Sequence, residues 1–282
     1  MKRLKITIFV LVVAVVAVTI TVLLLTNRNK PEPPPIAAAY ALVDLNTGST
    51  LFENKPEQQN RIGSLTKLMP VYICFQEIER GNISPDDIVT ISNAAVSTPG
   101  PTNNLKEGME ISLDSLLYCV LISSGNDAIT AITEFISEDE SVMVERMNIT
   151  AGELGMKNTF YADCTGINPF DNRSSAQDLT ILVKELLNDF PQVINYTRLQ
   201  EKIVKGICNG AEIELVLRNT NILLGVMDGV YGLKTGTAQE SYNAIVLLNH
   251  EEKNYMAIIL GAPNNTIRWD SVRKLLEYGM AR

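Results

Sequence analysis

The sequence predicts an α/β protein of the α+β kind. An antiparallel sheet flanked by helices is built from both ends of the chain, with an all-helical lobe inserted and an apolar helix ahead of it. Three observations predict this. Short strand-like stretches begin at Tyr40. Helical spacing of apolar residues fills the middle, with the lobe at about residues 82–190. Beyond Pro191 the pattern returns to strands and closes on a helix.

In order, Tyr40 to Asp44 and Ser49 to Glu53 are apolar stretches around Asn46-Thr47-Gly48, a strand–turn–strand signal. Ser64 to Glu79 has apolar residues at helical spacing and ends at Gly81-Asn82, and Pro70 one turn in predicts a local irregularity. Leu113 to Ile122 is almost wholly apolar and reads as a helix buried on all sides. Ala128 to Ile136, Ser141 to Leu154 and Ala176 to Leu187 are further helices. Lys202 to Cys208 and Ala211 to Leu217 flank Asn209-Gly210, the strongest short hairpin signal. Gly229 to Thr237, Tyr242 to Leu248 and Tyr255 to Gly261 read as strands, and Val272 to Met280 as the final helix.

Residues 1–26 form a separate unit. The run Ile6 to Leu25 carries no charge, and as a helix it would span about 30 Å, close to the hydrocarbon thickness of a bilayer. Lys2, Arg3 and Lys5 ahead of it favour a cytoplasmic N-terminus. A cleaved signal peptide is the competing reading, but the run is long for one and no A-x-A follows closely. Either way the rest of the chain lies outside the cytoplasm. Residues 27–35, NRNKPEPPP, predict an extended spacer, leaving 36–282 as the folded domain. The net charge of −8 argues against nucleic acid as partner. The four cysteines show no C-x-x-C spacing; Cys74 and Cys119 read as small core residues, and no metal or cofactor is expected.

The single histidine, His250, sits in a polar turn between two apolar strands. An H-E-x-x-H zinc peptidase is therefore excluded, and a Ser-His-Asp triad would depend on a turn residue. Ser64-Leu65-Thr66-Lys67 offers another base. Residues i and i+3 share a helical face, so Lys67 can place its amine beside the Ser64 hydroxyl. Burial and a second nearby cation would both disfavour the protonated amine. Alone, S-x-x-K is weak, since many such tetrapeptides are helix caps with an exposed lysine. Ser124-Gly125-Asn126 after the apolar helix and Lys234-Thr235-Gly236 in a predicted strand complete the ordered set S-x-x-K, S-x-N, K-T-G.

With these motifs the chain resembles the low-molecular-mass D-alanyl-D-alanine carboxypeptidases, serine peptidases of the penicillin-binding group (family S11) with a β-lactamase/transpeptidase-like fold. The resemblance runs from Ile36 to Met280 and includes RIGSLTKLM, LISSGNDAITAITE, MNITAGELGMKNTFYADCTGIN, SSAQDL, RNTNILL and GVYGLKTGTA. It implies Ser64 as nucleophile, Lys67 as general base and Ser124 as the hydroxyl relaying a proton to the leaving D-alanine. It implies that Asn126 hydrogen-bonds the substrate peptide and that Lys234 supplies the second cation, lowering the pKa of Lys67. Thr235 and Arg268, the latter shortly before the last helix, would hold the terminal carboxylate. Gly236 completes the third motif, and the N–H groups of Ser64 and Thr237 would form the oxyanion hole. The implied partners are the peptidoglycan stem peptide and, as covalent inhibitors, β-lactams.

Many members carry a second, all-β domain and a C-terminal amphipathic anchor, whereas this sequence stops at Arg282, and its N-terminal helix is expected to replace that anchor. Carboxypeptidase and endopeptidase are not separated by these residues. A class A β-lactamase would need a glutamate-bound water, and no clear E-x-x-L-N lies between Ser124 and Lys234. A non-catalytic wall-binding or penicillin-sensing domain would not need Ser64, Lys67 and Lys234 intact.

Overall fold

The computed structural model describes residues 37–137, 139–168 and 172–281. The apolar segment and spacer at residues 1–35 lie outside these. Among the described residues no helix is long and apolar enough to cross a membrane.

The chain opens with β1 (Ala39–Asp44), β2 (Thr50–Asn54), β3 (Asn60–Arg61), a 3-10 turn (Gly63–Lys67) and α1 (Leu68–Glu79). The middle holds β4 (Ile88–Thr90), α2 (Asn93–Ser97), β5 (Glu110–Ser112), α3 (Leu113–Ile122), α4 (Asn126–Ser137), α5 (Glu140–Glu153), β6 (Arg173–Ser174), α6 (Ala176–Asp189) and α7 (Val193–Thr197). Then come β7 (Glu201–Cys208), β8 (Ala211–Arg218), β9 (Val230–Ala238), β10 (Ser241–His250), β11 (Lys253–Ala262) and α8 (Asn265–Met280).

Both ends of the chain meet in a five-stranded antiparallel sheet of order β2-β1-β11-β10-β9. Its central strands are apolar on both faces. In β10, Ile245 and Leu247 pack with the helical lobe, while Ala244, Val246 and Leu248 face Trp269, Val272 and Leu275 of α8. Alternate residues thus serve two cores, which is why the sequence shows an unbroken apolar run instead of alternation. Each large side chain so buried contributes about 1.5–3 kcal/mol.

The inserted lobe is not all helical. β4 and β5 lie inside it; β4 pairs with β5, and β5 with β7 of the β7–β8 hairpin, in a second sheet of order β4-β5-β7-β8. Strands of three residues are too short to display a period, and it is pairing with each other and with the distant hairpin that makes them strands. The hairpin turns on Asn209 (φ 52°) and Gly210 (φ 77°), both left-handed as a type I′ turn requires.

Two boundaries differ from expectation in ways that bear on the site. The first long helix does not run from Ser64. Gly63–Lys67 is 3-10, and the α-helix begins at Leu68, which places Pro70 in its first turn where no intrahelical N–H is needed. The last helix begins at Asn265, capped by Asn264 Oδ1 accepting from Ile267 N at 2.9 Å. Arg268 is therefore inside the helix, not ahead of it.

Cys74, Cys119 and Cys164 are buried free thiols, and Cys208 is free and partly exposed.

Candidate active site

Ser64 stands in the 3-10 turn where β9 crosses the entrance to α1. In a 3-10 turn, residues i and i+3 eclipse one another. Lys67 is thereby brought directly over Ser64, and its Nζ lies 2.9 Å from Ser64 Oγ. The same Nζ donates to the Thr165 carbonyl at 2.6 Å. Lys67 is 0% exposed, and burial lowers its pKa to about 7, while the charges of Asp163 and Asp127 work to raise it.

Lys234 on β9 donates to Ser124 Oγ at 2.6 Å and to the Thr235 carbonyl at 3.2 Å. It is also buried, and its pKa is pushed well below the usual lysine value by burial, then by Lys67 and Arg268. Burial is the main cause at Lys67, where two carboxylates favour the ammonium; at Lys234 the charges of Lys67 and Arg268 add to burial, and the repulsion between the two lysines acts on both. Two buried ammonium groups that repel one another disfavour double protonation, and the pair titrates as a unit.

Close backbone packing makes this juxtaposition possible. A Cβ at Gly236 would lie 2.2 Å from the Ile62 carbonyl, and one at Gly63 (φ +53°) 2.5 Å from that of Thr237. Only glycine at both positions lets β9 lie against the turn bearing the serine. The Ser64 and Thr237 backbones are brought side by side as a result.

The cleft between sheet and lobe has a volume of about 390 Å³, and its lining includes Ser64, Ser124, Asn126, Thr220, Thr235 and Thr237. Among the described residues that line it there is no carboxylate. Ser124 holds a left-handed backbone (φ 66°), uncommon for a non-glycine residue, directly after α3. Asn126 opens α4; its Nδ2 donates to the Pro99 carbonyl at 2.7 Å. Its buried Oδ1 has no partner among the described residues.

Arg268 reaches the back of β9, where one guanidinium nitrogen approaches Gly236 O (3.5 Å), Thr237 Oγ1 (3.4 Å) and Asn243 O (3.3 Å). The other donates to Asn265 Oδ1. Asp270, two residues on, pairs with Lys274 instead. Burial draws the Arg268 guanidinium down to about 10, so it stays charged at neutral pH.

The structure thus gathers Ser64, Lys67, Ser124, Asn126, Lys234, Thr235 and Thr237 around one cleft, with Gly236 and Arg268 supporting its floor. Sequence reading missed Thr220, whose Oγ1 lies 2.7 Å from Thr235 Oγ1, and the 163–168 turn behind Lys67. Thr220 lies inside RNTNILL, but nothing local distinguishes its hydroxyl from any other loop threonine. Among the described residues no group of His, Cys, Asp or Glu is arranged to hold a metal.

A solved structure of penicillin-binding protein 6B from Escherichia coli aligns with 89% of this chain and 80% of its own at a TM-score of 0.78 and 31% identity. Fold and cleft together define the class of penicillin-binding serine peptidases. The model of the D-alanyl-D-alanine carboxypeptidase family, peptidase family S11, matches residues 27–264, and the chain belongs to that family. It is 31% identical over 247 residues to the D-alanyl-D-alanine carboxypeptidase DacF of Bacillus subtilis (87% of this chain) and 33% identical over 251 residues to DacD of Escherichia coli (86% of this chain). The chain spans 62% of the length of DacF and 63% of that of DacD.

Proposed function

We propose that the chain is a serine-type D-alanyl-D-alanine carboxypeptidase that removes the terminal D-alanine of peptidoglycan stem peptides through an acyl-enzyme. The observation that carries this reading is the 2.9 Å contact between Ser64 Oγ and a fully buried Lys67 amine whose pKa is lowered to about 7.

In this reading the neutral Lys67 amine takes the Ser64 proton as Oγ attacks the carbonyl carbon of the penultimate D-alanine. The tetrahedral oxyanion is received by the N–H groups of Ser64 and Thr237. As the C–N bond breaks, the Ser124 hydroxyl passes a proton to the departing amine, resupplied through the lysine pair. Water then attacks the ester, with Lys67 again as base, and Ser64 is regenerated. Asn126 Oδ1, an acceptor without a partner among the described residues, suits a substrate amide N–H.

The terminal carboxylate would sit against Thr235, Thr237 and Thr220, with the Lys234 and Arg268 charges beneath. Its arrival gives Lys234 the anion it lacks and raises its pKa. Charge held on Lys234 then repels charge from Lys67, so the base is freed when substrate is present.

A β-lactam would acylate Ser64 by the same steps. The absence of a carboxylate from the described cleft lining favours slow release of that adduct over β-lactamase turnover. D-alanine release from a stem pentapeptide by wild type and Ser64→Ala tests the assignment. Loss of release in the variant supports it, and equal release by both proteins defeats it.

The run Ile6 to Leu25 and the spacer behind it support a single-pass anchor that holds residues 36–282 on the outer face of the bacterial membrane. Cell fractionation checks this. The full chain should stay with membranes through an alkaline wash, and a soluble product cut downstream of residue 26 would overturn it.

A further inference from the structure

We propose that Asp163 is a positioning residue for the Ser64–Lys67 pair: its carboxylate folds the 163–168 turn so that the Thr165 carbonyl is held on the Lys67 amine, and its charge sets the pH at which that amine becomes a base. The inference rests on the catalytic reading above and adds a residue to it.

Five donors converge on this one carboxylate. Oδ1 accepts from Thr165 N (2.7 Å), Thr165 Oγ1 (2.8 Å) and Gly166 N (2.6 Å). Oδ2 accepts from Asn168 N (2.9 Å) and Asn172 Nδ2 (2.7 Å). Asn172 is itself tied down, accepting from Ala162 N at 3.0 Å. Burial works to raise the pKa of Asp163, but the hydrogen bonds from Thr165, Asn168 and Gly166 outweigh it and hold the carboxyl ionised.

The turn so formed touches the catalytic pair twice. The Thr165 carbonyl takes a hydrogen bond from Lys67 Nζ at 2.6 Å. Gly166 (φ +82°) lies against the nucleophile's own backbone, since a Cβ there would fall 2.1 Å from the Gly63 carbonyl and 3.0 Å from Ser64 N. A carboxylate that shapes this turn therefore fixes both the acceptor for the base and the seat of the serine.

Among the described residues, the charged groups around Lys67 are few. Asp163 approaches from the turn and Asp127 from α4, both favouring the ammonium, and Asp163 is the stronger. Lys234 opposes them from β9, with Arg268 of α8 beyond it. The Cys164 thiol, pushed up to about 12 by burial, stays neutral. Asp127 differs in what it holds. Its oxygens accept from Asn103 N, Leu105 N and Ala128 N, none of which belongs to the partner of Lys67. Asp163 alone of the two couples charge to geometry at the amine.

The test measures the second-order rate of acylation by a fluorescent penicillin from pH 5 to 9, on the full chain in detergent, for wild type, Asp163→Asn and Asp163→Glu. Asparagine removes the charge but leaves an oxygen for Thr165 and Gly166. Its acidic limb should move to lower pH by about half a unit or more, because a lost anion no longer holds the proton on Lys67. Glutamate keeps the charge but not the fit. Its limb should stay near that of wild type while its plateau rate falls by about 10-fold or more. A purely structural role would lower rates without moving the limb. An asparagine limb at the wild-type position, or a glutamate variant acylated at the wild-type rate, overturns the proposal. If the asparagine variant does not fold, Asp163→Ser, which also removes the charge, takes its place and the position of its acidic limb decides. Mapping the adduct separates the two readings. An adduct away from Ser64 sinks the catalytic assignment, and an adduct on Ser64 with an unmoved limb sinks only the role of Asp163.

Discussion

Lys234 Nζ lies 2.6 Å from Ser124 Oγ, and the serine holds a left-handed backbone to present that hydroxyl. Backbone and side chain at this position do separable things. Glycine accepts φ 66° without strain, and alanine does not. Ser124→Gly should therefore be more stable than Ser124→Ala by about 1 kcal/mol, while both lose most turnover because neither carries the hydroxyl. Thermal melts read beside D-alanine release check the two halves of this expectation.

Burying two amines costs stability. The folded-state pKa of Lys67 is lowered to about 7 from 10.5. Between those values the unfolded chain binds more protons than the folded one, so stability rises with pH across the window from about 7 to 10.5 and the cost is fully present below 7. Lys67→Met removes the buried charge at similar volume. It should raise stability near neutral pH by on the order of 3–5 kcal/mol and lower acylation by about 10³-fold or more. Denaturant unfolding at pH 7 and pH 10 checks it, with the gap between variant and wild type narrowing at the higher pH.

Gly166→Ala should damage the fold and the chemistry together. The new Cβ would meet the Gly63 carbonyl in a backbone region unfavourable to side chains. A loss of about 1–3 kcal/mol is expected, with acylation slowed because Ser64 shares that contact. A melt and an acylation rate measured on the same preparation suffice. Gly108, which is exposed and has open space at its Cβ, serves as the control site at which alanine leaves acylation unchanged.

Thr220→Val removes the hydroxyl paired with Thr235 Oγ1 while keeping the shape. If the threonine pair receives the terminal carboxylate, KM for the stem peptide should rise by about 10-fold, in line with a lost hydrogen bond to a charged group. Steady-state kinetics on a pentapeptide check it. The effect should be smaller with a substrate whose terminal carboxylate is replaced by a neutral amide.

What the sequence reveals is what is local. Ser64 and Lys67 lie within one turn, so their meeting can be read from spacing. The boundaries of α3 match its apolar run, and Asn209-Gly210 announces its hairpin. What was not legible depends on partners far along the chain. β5 joins a sheet because hairpin strand β7, more than 90 residues on, pairs with it, and β4 pairs with β5 in turn. Thr220 matters because β9 brings Thr235 to it, and Asp163 because its turn folds back onto Lys67. The exchange of α-helix for 3-10 at Ser64 follows from Pro70 and from the closeness of β9, only the first of which is visible in the sequence. That two carboxylates, Asp163 and Asp127, favour the charged form of Lys67 required their positions.

The proposed chemistry turns on an uncharged amine withdrawing the proton of Ser64. Acylation of the intact protein by labelled penicillin, followed across pH with the adduct mapped by mass spectrometry, puts that to the test. The expected result is a single adduct on the peptide containing Ser64, with a rate that rises through an acidic limb centred near pH 7. An adduct elsewhere, or a Ser64 adduct whose rate does not change between pH 5 and 9, would contradict it.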